Sequence, residues 1–421
     1  MAAASAVQPA AAPAASTTAV PGCGGVEGQA PVFGGRRTFL LDGPTMIRLK
    51  DGIRPKGGIA GDPALAGAYR RLLARAEAAL GRGPYSVTDK PAPPPSGDMH
   101  DYISVGPYWW PDPARPGGLP YVRRDGEMNP ARSGPAFDVQ RLQDLSDDVG
   151  TLALAYYYSD DARFARHAAA LLRAWFLDPA TRMNPNLDFA QSIPGRVAGR
   201  AEGIIDTARL QRVVDAIGLI GPSGALTPAD QAGLERWFGD YVEWMRRSAN
   251  GRKEDAAANN HSIWYDAQLA QFALFARRPD IALAVAKAFP ERRILPQFEP
   301  DGRLPRELTR TRSFHYSVFA LQAAYDVADL GRCVGQDIWH FRDKDGRGLR
   351  SATAFVAGYA GRLDRWPYPE MRPAPGLLDD LLLRASAIWP ADHPGERQAA
   401  LLRRYFGEGD APAPGAPAAA H

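Results

Sequence analysis

Cysteine is scarce. The chain has two in 421 residues, Cys23 and Cys333. Two cysteines exclude a disulfide framework and a zinc ribbon. Cys23 lies in a stretch with no packing pattern, so a bridge between the two is not expected. No apolar run reaches membrane-spanning length, so no membrane partner is expected. Histidine pairs at i, i+4 and cysteine clusters are missing, which removes the usual signs of a metal site. FRDKDGRGL (341–349) begins like a calcium loop but lacks the later ligands and the terminal Glu, and reads as a turn. A Gly-rich phosphate loop is also missing. No cofactor, metal or nucleic-acid partner is expected. Strand-like alternation of β-branched residues is sparse, and no fixed-period repeat is visible, which disfavours a regular solenoid.

What remains is ordinary globular composition, 45% hydrophobic and 23% charged, with a net charge of +3. That balance suits a polyanionic ligand without requiring one. Residues 1–35 are Ala/Pro-rich and nearly uncharged at their start, and 408–421 read EGDAPAPGAPAAAH. Both ends are expected to be disordered, with one domain over 36–407. The N-terminal stretch lacks the basic start and leucine-rich centre of a signal peptide. It resembles the spacer left when one is removed, so a periplasmic or secreted monomer is expected. Between the ends the period is helical. DPALAGAYRRLLARAEAAL (62–80) starts on Asp62 before Pro63, and Ser159-Asp160-Asp161 joins a helical hairpin. Further helices are expected over 202–220, 228–248, 260–276, 280–289, 313–331, 350–363 and 376–389. Some, such as 260–276, are apolar around most of their circumference, as an inner ring covered by an outer one would be. The fold class is therefore all-α, a single domain of helix pairs.

Three irregular stretches interrupt this pattern: HDYISVGPYWWPDP (100–113), MNPNLDFAQSIPGRVAGRAEGIID (183–206) and FEPDGRLPRELTRTRSFHY (298–316). Long irregular connections in a compact domain often carry function. The third holds Arg303, Arg306, Arg310 and Arg312 just before Tyr316, which opens an apolar helix. An arginine near a phenol lowers its pKa and makes it a candidate base. In AAANNHSIWYDAQ, an N-cap at Asn259 would put Asn260 and His261 in the first helical turn. Free N–H groups there favour a bound carboxylate and disfavour a charged imidazole. Singly, each residue is as well explained by a cap, a packed histidine or a solvated loop. Together they suit β-elimination on a polyuronate. Asn260, His261 and Arg310 would neutralise the C5 carboxylate. Tyr316 would take the C5 proton and return one to O4. A single Tyr in both roles requires both groups on one face of the sugar, as in β-D-mannuronate and β-D-glucuronate. For guluronate, His261 would have to act as base from the other face.

These residues resemble the alginate-lyase-like superfamily of polysaccharide lyases. The resemblance is carried by Asn259-Asn260-His261-Ser262-Ile263-Trp264, by Pro-x-Glu-Leu-x-Arg-Thr-Arg-Ser-x-x-Tyr from Pro305 to Tyr316, and by GPYWWPDP at 106–113. The run from MNPN to GIID points to the branch with glucuronan lyases and some alginate lyases. The resemblance implies an (α/α) toroid of about six or seven helix pairs with an open cleft. It also implies Asn260, His261 and Arg310 on the carboxylate and Tyr316 as base and acid, with Arg312 as the other candidate arginine. Tyr102, Tyr108, Trp109, Trp110 and Trp264 are candidates for sugar stacking. Arg306, Arg312, Asn184, Asn186, Gln191, Arg196 and Arg200 are candidates for hydroxyls and neighbouring carboxylates. His315 has a structural role by default. The expected partner is an acidic polysaccharide, glucuronan or alginate. Two rivals compete. A glycoside hydrolase would need two carboxylates across the bond, from among Asp101, Glu202, Asp206, Glu254 and Glu307. A non-catalytic polyuronate-binding protein would not need Tyr316.

Overall fold

The computed structural model describes residues 23–53, 61–374, 376–395 and 397–407. Most of the expected N-terminal spacer and the C-terminal tail lie outside these. The part from Cys23 to Gly35 corrects the expected boundary, because it is packed and buries Phe33 to 1% exposure.

The helices are α1 (Gly43–Ile53), α2 (Pro63–Ala79), α3 (Val139–Ser159), α4 (Ala162–Leu172), α5 (Leu210–Ile220), α6 (Pro228–Arg247), α7 (Ala249–Asp255), α8 (Asn260–Phe275) and α9 (Pro279–Phe289). Then follow the short α10 (Leu295–Gln297) and α11 (Pro305–Leu308), then α12 (Ser313–Cys333), α13 (Leu349–Ala357), α14 (Gly376–Ile388) and α15 (Gln398–Phe406). Their starts follow local chemistry. Asp62 accepts the Ala64 N–H at 2.8 Å with Pro63 behind it, and Thr227 with Asp230 forms a capping box for α6.

Burial separates two rings. Every residue of α8 except His261 is buried, and α3, α5 and α12 are buried over most of their length. These four pack side by side in the order α3, α5, α8, α12, while α2, α4, α6 and α9 lie against their outer sides. The ring closes through α14 and α15, which reach from α12 back to α2 and α3. This is the all-α fold expected from the periodicity, in the toroid that the family resemblance implied. Two small sheets accompany it. β1 (Ile103–Val105) pairs in parallel with β4 (Phe189–Ser192), and β2 (Trp109–Trp110) pairs antiparallel with β3 (Val122–Arg123). They bind the first two irregular stretches and the loop at 122–123 into one rim.

An N-terminal strap crosses the far ends of the inner helices. Asp215 of α5 accepts the N–H groups of Phe39, Leu40 and Leu41 at 2.7–3.0 Å. Arg37 donates to the last carbonyls of α8, Leu274 and Phe275, orphan acceptors that a helix end leaves open. Cys23 is disulfide-bonded to Cys333 at the end of α12. The expectation of unpaired thiols is therefore wrong. It treated the segment around Cys23 as loose, whereas Asp215 and Arg37 hold it against the ring. With the strap on their C-terminal ends, α8 and α12 present their N-terminal turns, and the positive ends of their dipoles, to the opposite face.

Candidate active site

The first turns of α8 and α12 form the floor of that face. Asn259 caps α8, its side chain accepting the His261 N–H at 3.3 Å. This puts Asn260 and His261 in the first turn, as expected. Asn260 is 1% exposed, and Glu307 holds it at two points, its backbone N–H to Oε1 at 2.7 Å and its Nδ2 to Oε2 at 2.8 Å. His261 Nδ1 lies 2.6 Å from Oε1 of the buried Glu254. The imidazole departs from the sequence expectation. Burial opposes its charge, but Glu254, Glu202 and Glu307 outweigh burial, and its pKa is raised.

On α12, Tyr316 is 8% exposed. Its hydroxyl stands 2.5 Å from that of Tyr108, which comes from the aromatic stretch beside β2. The Arg310 guanidinium lies 3.8 Å from the Tyr316 ring centroid. Burial is the largest influence on the phenol and raises its pKa. Tyr108 adds to the rise, and Arg310 pulls the other way without cancelling it. The expected lowering by arginine is thus present but outweighed.

Arg310 is not free. Asp125 accepts from its Nη2 at 3.0 Å and from its Nε at 3.3 Å, and also from the Thr311 hydroxyl. Burial would raise the Asp125 carboxyl, yet Arg310 and Thr311 hold it down to about 2. The same loop grips Tyr108. Arg124 N–H donates to the Tyr108 carbonyl and Asn129 N–H to that of Pro107. Asp125 was not legible in the sequence, where RRDGE reads only as a turn.

Some other candidates hold the rim together. Gln191 sits at φ 46°, a left-handed conformation rare for its type. Its N–H bonds Ser104, its Nε2 bonds Asp206, and its Oε1 accepts from Arg200. Arg200 also pairs with Glu202 at 3.1 Å. Asn184 and Asn186 both donate to Asp101. Tyr102 is fully buried with its hydroxyl on Asp206, so it is no stacking surface. Arg306 is exposed on α11 and makes no hydrogen bond or ion pair with these site residues. Trp109 and Trp110 are half-buried at the rim, under Arg196 and Arg124 respectively. Trp264 packs its ring 4.6 Å from that of Phe319. Arg312 is 3% exposed and lies one turn below Tyr316. The five carboxylates a hydrolase might use are all engaged, on His261, Asn260, Arg200, the asparagines and the Gln191–Arg132 cluster. In the DKDG turn, Asp343 accepts from the backbone and guanidinium of Arg347.

A helical toroid with a phenol, arginine, amide and imidazole on its open face defines a polysaccharide lyase rather than a hydrolase. The chain belongs to the alginate lyase family, whose model, described as Alginate lyase, matches residues 86–366. It is similar to an alginate lyase from Bacteroides ovatus at 37% identity and TM-score 0.81, over 87% of this chain and 95% of that one. The fold is also shared with alginate lyase A1-III from Sphingomonas species A1, at 17% identity, TM-score 0.51 and coverage of 80% and 93%. A variant of A1-III in complex with a tetrasaccharide matches at 16% identity and TM-score 0.50, with the same coverage. No curated protein matches the chain.

Proposed function

We propose that the protein cleaves a 1,4-linked polyuronate by β-elimination, on β-linked mannuronate as in alginate or on glucuronate as in glucuronan. The observation that carries this reading is the convergence of Tyr316 and the Asn260–His261 pair on adjoining first turns of α8 and α12. The protonated His261 ring and the Asn260 amide oppose the charge of the substrate carboxylate. This stabilises the enolate-like transition state formed when the C5 proton leaves. Tyr316 as phenolate removes that proton and, once protonated, delivers it to the departing O4. The C4–O4 bond breaks and a C4–C5 double bond forms. Arg310, stacked on the ring, favours the phenolate. The proton taken from C5 is the one given to O4, so Tyr316 ends each turnover as phenolate, with the Tyr108 hydroxyl beside it. The family name and the Bacteroides relative favour alginate, and the GPYWWPDP and MNPN–GIID stretches resemble the branch with both glucuronan lyases and some alginate lyases.

The protein is also proposed to act as an exported monomer. The Cys23–Cys333 disulfide supports export, since such bonds persist in oxidising compartments. No helix among the described residues is long and apolar enough to cross a membrane.

The test is a panel of polymannuronate, polyguluronate, glucuronan and hyaluronan, read by the ultraviolet absorbance of the new double bond. Absorbance should rise on polymannuronate or glucuronan. Reducing ends released without absorbance would mean hydrolysis and overturn the reading. No turnover, with binding retained, would favour a binding protein.

A further inference from the structure

We propose that the strap end of the toroid carries a second binding site, for a small sugar acid. It lies at the opposite end of α12 from Tyr316, apart from the cleft, and does not rest on the lyase reading.

A cavity of about 480 Å³ opens there, within the range of small-molecule sites. One wall is the strap, pinned by the Cys23–Cys333 bond, and the others are α1, α12, α14 and α15. Arg48, Arg332, Arg384 and Arg404 line it. Of these, Arg384 is neutralised, by Asp326 and Asp329 at 2.7 Å. Arg332 comes no nearer to Asp329 than 4.0 Å and lies over the Trp339 ring. Arg48 and Arg404 have no ion pair among the described residues. Arg48 donates to the Thr45 hydroxyl and Arg404 to the Leu40 carbonyl. The acids nearby are committed. Asp329 also accepts the Trp339 indole N–H, Asp42 the Thr45 N–H, and Asp215 the three strap N–H groups. A recess lined by cations that lack counter-charges concentrates its field on an incoming anion.

The other lining groups narrow the class of that anion. A guanidinium fork matches a carboxylate. Gln29 lines the cavity at 8% exposure, and its Oε1 is buried with no hydrogen-bond partner. That oxygen is a strict acceptor. A carboxylate has no proton to give it, whereas a hydroxyl does. Phe39 and Trp339 add apolar surface to the same walls, which suits the C–H face of a sugar ring. Carboxylate, hydroxyls and a ring together describe a sugar acid, and the volume fits a small one rather than a polymer. A neutral sugar would leave the arginines without a counter-charge.

The experiment titrates D-glucuronate, D-glucose and inorganic phosphate by calorimetry into the unmodified protein and into Arg48→Glu, Arg332→Gln and Arg310→Met. Glucuronate affinity should fall about tenfold or more in Arg48→Glu and in Arg332→Gln, each of which loses a charged hydrogen-bond donor. It should be unchanged in Arg310→Met, which alters the open face alone. Arg48 is exposed, so its variant keeps the test alive if Arg332→Gln fails to fold. Glucose should not bind, and phosphate should bind more weakly than glucuronate. No binding of glucuronate, phosphate binding as tight, an affinity that Arg48→Glu leaves unchanged, or a loss in Arg310→Met would each overturn the proposal. Lyase activity is not a readout here, so the substrate panel and this titration decide their two readings separately.

Discussion

Tyr316 and His261 are held in different electrostatic surroundings, and in the proposed mechanism the gap between their pKa values limits the rate. Burial raises the phenol and three carboxylates raise the imidazole. The proposed active form needs phenolate and imidazolium together. Because the imidazole pKa lies below that of the phenol, this form is a minority species whose fraction is flat between the two values. It falls away below the first and above the second, giving a bell-shaped profile. Each unit of separation costs tenfold. Arg310→Met removes a group that lowers the phenol pKa, so kcat/KM should fall over the plateau and the alkaline limb should move up. Glu254→Gln removes the main support of the imidazolium, so the acid limb should move down and the plateau should again fall. A pH profile of each variant checks both signs. Tyr316→Phe should lower kcat by about 10²–10⁴-fold with oligosaccharide affinity retained, measured by stopped assay and calorimetry.

At the scale of the element, a helix start places each pair of site residues. Asn259 ends the loop and caps α8, so its side chain fixes where the first turn begins and which way Asn260 and His261 point. Asn259→Ala should cost about 1 kcal/mol of stability, visible as a lower denaturation midpoint. It should also reduce kcat by more than that loss of folded protein explains, since the two residues that follow are then less well held. The rim obeys the same rule through longer bonds. The loop that carries Asp125 also clamps the backbone at Tyr108, so Arg310 and Tyr108 are positioned from one segment on either side of the phenol.

For the molecule as a whole, the strap divides the toroid into a tied end and an open end. Cys23 and Cys333 are 310 residues apart, and a bridge over so long a loop restricts the unfolded chain strongly. Cys333→Ser, or reduction of the native protein, should cost about 2–5 kcal/mol and lower the thermal midpoint. Activity at moderate temperature should be kept, because the bond lies at the far end of α12 from Tyr316. A thermal melt with and without reductant, beside an activity assay, checks both parts.

Much of this was legible in the chain itself. Apolar period located most of the long helices to within a few residues, since a helix that must bury one face or all of them writes that need into consecutive positions. The exceptions are 202–220, where Ala201–Arg209 is a 3-10 run and α5 begins only at Leu210, and 350–363, where α13 ends at Ala357. Asn259, Asn260, His261 and the Pro305–Tyr316 segment were legible for a related reason: a cap, a first turn and the residues that follow are local. α1, α7 and α15 were not among the expected helices. Contacts between distant segments were hidden as well. No spacing announces that Asp125 takes Arg310, that Glu254 raises the His261 pKa, that Cys23 meets Cys333 or that Arg312 is buried with no ion pair among the described residues. Local order depends on neighbours in sequence, whereas the protonation and pairing of a side chain depend on what the folded ring brings beside it. Sequence therefore determined the kind of elements and the set of candidate groups, and the tertiary structure decided which charges are paired and which groups stand beside the phenol.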